Sequence, residues 1–581
     1  MEKYQWDLTS LYKDLNDPQL EEDINQLEEK VTLSQAFFEE ERQDLGFLKD
    51  GIDLLERVSL LSKKIFYYTN LVIAANTSNT KALGILNKAR KVLVGFNSFQ
   101  VQFSRKLASI DLEKTIQEAG LEDYSFILNE IKESGSYLLS EAEEEILAQT
   151  NIYGVNAWEN LFDQLTSKLA GEYRGEIKSL SELRNMAYDP DPIVRQDAYE
   201  AELALYPKVE DSLASALSSI KGHVNTIARK RGYEDALEEA LHLSRMDRQT
   251  CMALIQAMEG NLEIFHRYFK AKAKLLGQEK LHWKDLFAPV GKLPAGYSVS
   301  LSKKALVDSF SSLHPPIADL IERAYDENWI DFLPREGKVG GAFCENLGYV
   351  KESRILTNFD GSFNAVDTLA HELGHAYHGS LIEDLDILNQ DYSMPVAETA
   401  STFNEIHFLL DVMEKAQDKE DKLGLLESFL MGHAQTICDI LSRYLFEKEV
   451  FERVDNEILG AQDLCQIMHK AQLKAYGEAL EEGSLHPYMW ACKGHYYSAS
   501  LSYYNFPYAF GSLYAMGIYK KAISQEKDFM KNYDKMLEAT TTASCEDVGA
   551  LVGIDLRQEN FWKEAMEAFL PYVEEFEGLV D

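Results

Sequence analysis

The run His371-Glu372-Leu373-Gly374-His375 restricts this chain more than any other feature, because its spacing has chemical meaning only on a helix. Residues four apart on an α-helix share one face, one turn apart, so two imidazole nitrogens can reach a single metal ion at about 2.0 to 2.1 Å. Glu372 lies roughly 100° round the helix from His371, near enough to touch a metal-bound water without being forced to ligate, as a general base requires. Gly374 is expected to leave space beside the metal. The flanking Leu369, Ala370, Leu373, Ala376 and Tyr377 are apolar, so both histidines should be buried and in need of partners. A core histidine pair satisfied by carbonyls is the competing reading.

A catalytic zinc site uses three protein ligands and keeps a fourth position open, so a third ligand is required. His378 lies seven residues beyond His371, about 10.5 Å further along the axis, too far for three side chains to meet one ion. A hydrogen bond at the edge of the site suits it better. The spacing HExxHxxGxxH is absent, and eighteen to twenty residues after His375 the chain reads Ser393-Met394-Pro395, with no acid. Further on, Pro395-Val396-Ala397-Glu398-Thr399-Ala400-Ser401 starts a second helix, with Pro near its first position and small residues round one acid. From these residues alone Glu398 is either a ligand or a glutamate favoured in a first turn by the helix dipole. Glu405, seven residues on, shares its face and is placed to orient a metal-bound histidine.

The chain's 581 residues exceed the usual size of a single core. With 45% hydrophobic and 27% charged residues and only 13 prolines, it reads as ordered, soluble and largely helical. A net charge of −38, from 96 acidic and 58 basic residues, argues against nucleic acid and anionic membranes as partners. No leader or apolar run of spanning length is visible, and six scattered cysteines without a CxxC pair suit reduced thiols, so a cytoplasmic location is expected. Helical periodicity runs to about residue 187, and Asp189-Pro190-Asp191-Pro192 breaks it. This predicts an N-terminal helical lobe over 1–190 and a catalytic domain over 191–581. Between Trp283 and Gly361 the texture suits a sheet, including Tyr349-Val350 and a strand Arg354–Phe359 able to offer an edge to an extended peptide. Asn364 and Asp367 form the expected cap of the helix that follows. No internal repeat is apparent.

His371-Glu372-Leu373-Gly374-His375-Ala376-Tyr377-His378 followed by Val396-Ala397-Glu398-Thr399-Ala400-Ser401 resembles the oligoendopeptidase F branch of the thimet-oligopeptidase-like family. Gly340-Gly341-Ala342-Phe343-Cys344 and the stretch Tyr503-Tyr504-Asn505-Phe506-Pro507-Tyr508-Ala509-Phe510-Gly511 support the resemblance. It implies a mainly α fold, a large helical clam-like body round a deep substrate channel, with the small sheet beside the HExxH helix. It further implies one zinc ion held by His371, His375 and Glu398, and cleavage restricted to oligopeptides. In that family a loop near the C-terminus supplies a histidine and tyrosines facing the substrate carbonyl, and His495, Tyr504 and Tyr508 match them. Aromatic packing in a helical core is the other reading of this cluster. The resulting expectation is a zinc metalloendopeptidase cutting short unstructured peptides, with Glu372 as general base and Tyr508 and His495 as oxyanion donors. A zinc carboxypeptidase, which would need a cation for the terminal carboxylate, and a catalytically silent peptide binder are the alternatives; few basic residues lie near the motif. Manganese or cobalt could replace zinc in vitro.

Overall fold

The helix α1, Asp44–Ala75, shows how the first part of the chain is built. Leu48, Ile52, Leu55, Val58, Leu61, Ile65, Tyr68 and Leu71 recur every three or four residues and are all buried, the stripe of a helix with one face on a core. The structure, a computed structural model, describes residues 4–39, 42–524 and 529–580, and it is 70% helical. Buried apolar residues from Tyr12 to Leu128 form one cluster, and those from Val155 onward join a larger one. A third, small cluster joins Trp6 and Leu71 and Ala74 of α1 to Leu347 and Leu356, far along the chain.

The helical run expected up to residue 187 is interrupted by a hairpin, β1 (Ala170–Tyr173) and β2 (Glu176–Ser179). Its two turn residues, Arg174 at φ 50° and Gly175 at φ 85°, both occupy the left-handed region that suits the twist of a two-residue hairpin. Asp191 then caps the helix Pro192–Leu203, accepting from Ile193 N at 2.9 Å, with Pro192 in the first turn where no amide donor is needed.

The sheet is narrower than the sequence texture suggests, because most of 299–326 is helical (Val299–Leu313 and Pro315–Asp326) and Tyr349-Val350 lies in a single 3-10 turn. Its strands are β3 (Ile330–Asp331), β4 (Phe343–Leu347) and β5 (Glu352–Leu356), in the order β3-β5-β4. β5 pairs parallel with β3 and antiparallel with β4. The expected edge at Arg354–Phe359 is therefore wrong: that strand is central, and the edges are the two-residue β3 and the longer β4. Arg354 is buried, donating to Asp7 O, Ser10 Oγ and Glu352 Oε2, so it ties the start of the chain to the sheet.

After β5 come α2 (Phe363–Ile382), α3 (Thr399–Lys415), α4 (Lys419–Ala434) with a π-helical continuation Gln435–Asp439, α5 (Ile440–Arg453) and α6 (Phe506–Ile523). The expected Asn364–Asp367 cap of α2 is corrected to Ser362, whose Oγ accepts from Ala365 N at 3.2 Å, while Asp360 Oδ1 accepts from Ser362 N at 2.9 Å. Ser362 is extended (φ −76°, ψ 164°), as an N-cap must be, and residues 364 and 367 already lie inside the helix. Helices α2 and α3 form the most extensive helix pair in the molecule.

Candidate active site

Helix geometry brings the rings of His371 and His375 to 5.0 Å between centroids. Glu398 stands at the junction between the short helix Met394–Ala397 and α3. Its Oε2 lies 3.3 Å from His371 Nε2 and 3.4 Å from His375 Nε2. The three donor atoms lie within 4.8 Å of one another, close enough to hold one metal ion. Ser401 Oγ donates to Glu398 Oε2 at 2.8 Å, and His371 Nδ1 lies 3.1 Å from Glu405 Oε2. That second contact sets the ring so that Nε2 faces the cluster, the usual way a carboxylate orients a metal-binding imidazole. Both histidines are half-buried rather than buried, because their face of α2 borders the cleft.

Gly374 corrects the sequence reading. A Cβ there would lie 2.5 Å from Ala400 O and 2.6 Å from Ser401 Cα. Its absence therefore lets α3 approach α2 and bring Glu398 to the histidines, rather than leaving room beside an ion. Asn404 Nδ2, donating to Ala370 O at 3.3 Å, links the two helices, and Asn346 Nδ2 of β4, donating to His375 O at 3.2 Å, links the sheet to α2.

Burial opposes charge throughout the cluster, and the pairing decides the outcome. At Glu398 burial is outweighed by hydrogen bonds and charges from His371 and His375, which hold the carboxyl well below its usual range. His371 is raised well above its ordinary value despite burial, through Glu398 and Glu405. The buried Glu372 is raised by desolvation, with the two histidines acting in the opposite sense. Without a metal His371 thus tends to hold a proton, which an ion would displace.

His378 is fully buried, with Nε2 3.0 Å from Leu537 O and 2.8 Å from Thr540 Oγ1, and it stacks on Tyr392; it faces away from the cluster. Of the C-terminal aromatic residues, Tyr508 lines the cavity of about 280 Å³ that also contains His371, Glu398 and Glu405. Gly511, one turn further along α6, allows this approach, since a Cβ there would sit 3.0 Å from Glu398 Cβ. Tyr504 OH is 2.9 Å from Tyr508 OH. His495 is one step further back, its ring 5.9 Å from that of Tyr504, and it is not among the residues lining this cavity. Burial lowers His495 to about 3, so its imidazole is neutral.

Three cavity residues were missed from sequence. Asp367 precedes His371 by four and shares its face, so helix periodicity could have found it; burial and the charge of Glu405 raise its carboxyl. His433 of α4, with Nδ1 2.8 Å from Ser512 Oγ of α6, and Ser512 itself carry no local signal.

A helical body, a small sheet against the metal helix, and a His-His-Glu cluster beside a buried glutamate define a metallopeptidase. Residues 185–568 match the profile of Peptidase family M3, and residues 106–170 match that of Oligopeptidase F. The chain belongs to Peptidase family M3, and with that family comes its class, metalloendopeptidase. It is similar to Group B oligopeptidase PepB of Streptococcus agalactiae serotype III (strain NEM316), with 24% identity covering 100% of this chain and 97% of the relative. An oligoendopeptidase F homolog of Lactococcus lactis subsp. lactis (strain IL1403) is 25% identical, covering 100% and 98%. The fold matches the crystal structure of oligoendopeptidase-F from Enterococcus faecium with a TM-score of 0.72 at 21% identity, covering 97% of this chain and 99% of that one. The resemblance to the oligoendopeptidase F branch and the mainly helical fold are thereby met.

Proposed function

We propose that this chain is a zinc-dependent oligoendopeptidase that hydrolyses internal bonds of short, unstructured peptides in the cytoplasm. The observation that carries the reading is the convergence of His371, His375 and Glu398 on one point beside the buried Glu372. Two imidazole nitrogens and one carboxylate oxygen, with Glu405 behind His371 and Ser401 behind Glu398, form a donor set suited to zinc with one position left open. When bound, zinc supplies a Lewis acid for the scissile carbonyl and acidifies water. Glu372 takes the proton of the attacking water and later delivers it to the leaving amine. Its burial, which favours the protonated form, suits the second of these transfers. Tyr508 donates a hydrogen bond to the oxyanion as charge develops, and Tyr504 orients the Tyr508 hydroxyl.

Strand β4 provides the rail for the substrate: β5 is its only partner among the described strands, so an extended peptide can add along its other side through backbone hydrogen bonds. Recognition through the backbone makes side-chain preference broad. The oligopeptidase and oligoendopeptidase names of the relatives support a peptide substrate of limited length. Six free cysteines support a reducing compartment, and no described helix is long and apolar enough to cross a membrane.

Digestion of internally quenched peptides with blocked and free termini, followed by mass spectrometry, tests the reading. Internal cleavage of doubly blocked peptides, lost on chelation and restored by zinc, is expected. Removal of terminal residues alone would make the protein an exopeptidase, and binding without cleavage by zinc-loaded protein would make it a silent receptor.

A further inference from the structure

On the far side of the π-helical segment from the metal cluster lies a second cavity of about 350 Å³ with a charge balance unlike the rest of this acidic chain. Thr436 faces the metal cavity, whereas Gln435 and Asp439 line the second one. Such a local change of helical register often marks a functional position. Five cations line this cavity: Arg184, Arg195, Lys284, Arg443 and Lys493. Three carboxylates answer them. Asp285 takes both Arg195, at 2.8 Å, and Lys284, at 2.6 Å; Glu202 takes Arg184 at 2.6 Å; and Asp439 takes Arg443.

Lys493 remains. Among the described residues its ammonium has no ion-pair or hydrogen-bond partner in contact, and burial pushes it below its ordinary value against the opposing charge of Asp439. Beside it, Arg443 Nε is buried and has no partner among the described residues. A half-buried ammonium with no carboxylate in contact, beside the Arg443 guanidinium at the same cavity, suits that cavity to an anion.

The cavity is coupled to the reactive end of the cleft. Arg443 Nη1 donates to Asn505 Oδ1 at 2.9 Å, in the segment that carries Tyr504 and Tyr508. Lys493 and Arg443 both act on the His495 ring, which faces Tyr504. From His495 the contacts continue through Tyr504 to Tyr508 at the metal cavity.

We propose that this cavity is an anion pocket in which Lys493 and Arg443 hold a carboxylate of the bound peptide. The proposal rests on reading the neighbouring cleft as a peptide-cutting site, and it adds a cationic anchor that the sequence around the metal motif did not suggest. The carboxylate comes either from the C-terminus of the peptide or from an acidic side chain, and two substrate pairs separate these sources. One pair is a peptide with a free and an amidated C-terminus. The other is an amidated peptide carrying Glu or Gln at successive positions beyond the cleaved bond.

In one of the pairs kcat/KM should favour the carboxylate peptide by about tenfold or more, as for a hydrogen bond to a charged group. Lys493→Gln, which strands no partner and so should fold, should bring that ratio to near one, and Lys493→Arg should keep it. Equal kcat/KM within both pairs, or a preference untouched by Lys493→Gln, would overturn the pocket. Calorimetric titration of the full chain with acetyl-dialanine, its amide and inorganic phosphate tests it independently of hydrolysis. Binding of the acid alone, lost in Lys493→Gln, upholds the pocket even if no peptide is cut. Binding of phosphate without the acid, or no difference between acid and amide, overturns it.

Discussion

On one wall of the cleft the proposed chemistry sits on α2 and α3, two regular helices in close contact, while on the other it sits on residues 494–508, a 3-10 turn and irregular chain that lead into the first turn of α6. The metal-facing atoms of the first wall are oriented by named partners, Glu405 for His371 and Ser401 for Glu398. The second wall is less settled: His495 Nε2, the Tyr496 and Tyr497 hydroxyls, Ser502 Oγ and Asn505 Nδ2 are buried with no partner among the described residues. Tyr503 also holds φ at 52°, in the left-handed region. Each such feature costs on the order of 1–3 kcal/mol. The contrast separates two tasks. A metal needs donors whose geometry does not change, whereas a surface that meets charge only as it develops can be held in a less stable arrangement until substrate is present.

The largest effect expected of the regular wall is at its base. Glu372→Gln should lower kcat by about 10²- to 10⁴-fold, since a general base contributes that much, while metal content stays at that of the unaltered protein. Kinetics paired with atomic emission checks both; full turnover by metal-loaded Glu372→Gln would remove the base from this wall.

Tyr508→Phe tests the second wall. Removing the hydroxyl keeps the ring and should cost about 10²- to 10³-fold in kcat with little change in KM, as for other oxyanion donors. Tyr504→Phe should cost less, because it acts through Tyr508. A silent Tyr508→Phe beside a damaging Tyr504→Phe or His495→Ala would move the role along the loop, and silence in all three would reduce this wall to packing.

The closeness of α2 and α3 can be broken at Gly374. A Cβ there meets Ala400 O at 2.5 Å, so Gly374→Ala should force the helices apart, destabilise the protein by about 1–3 kcal/mol and weaken metal binding. Gly432→Ala is the control: it lies on α4 in the wall of the same cavity, with nothing within 4 Å of its added Cβ, and it should be neutral or slightly stabilising. Denaturant titrations and metal affinities of the pair decide whether close approach is what makes the site.

The smallest effect concerns the strand packed against α2. Glu345 of β4 is raised by burial from 4.5 to about 7. The folded state therefore holds this proton more tightly than the unfolded chain, and stability is lost as pH rises from about 4.5 through 7. Glu345→Gln should leave the Tm unchanged near pH 4 to 5 and raise it at pH 8, by at most the equivalent of about 3 kcal/mol. Calorimetry at the two pH values checks the sign, and an equal shift at both would show that Glu345 is not acting through its charge.

What the sequence determined by itself was local. The four-residue spacing of His371 and His375, the offset of Glu372, the helix start at Asp191-Pro192 and the seven-residue phase of Glu398 and Glu405 all follow from the repeat of an α-helix, which a few neighbouring residues specify. Tertiary structure decided whatever depends on distant partners. Hydrogen-bond pairing with β3 and β4 made β5 central and left the edges to β3 and β4. Contact with Ala400 gave Gly374 its purpose, and the local conformation at Ser362 took the cap from Asn364. The distances of Tyr508 and His495 from the metal cluster, and the gathering of Arg184, Arg443 and Lys493 round one cavity, come from packing between segments hundreds of residues apart. Such packing leaves no periodic trace in the chain, because each contact depends on the shape of both partners and not on the spacing of either.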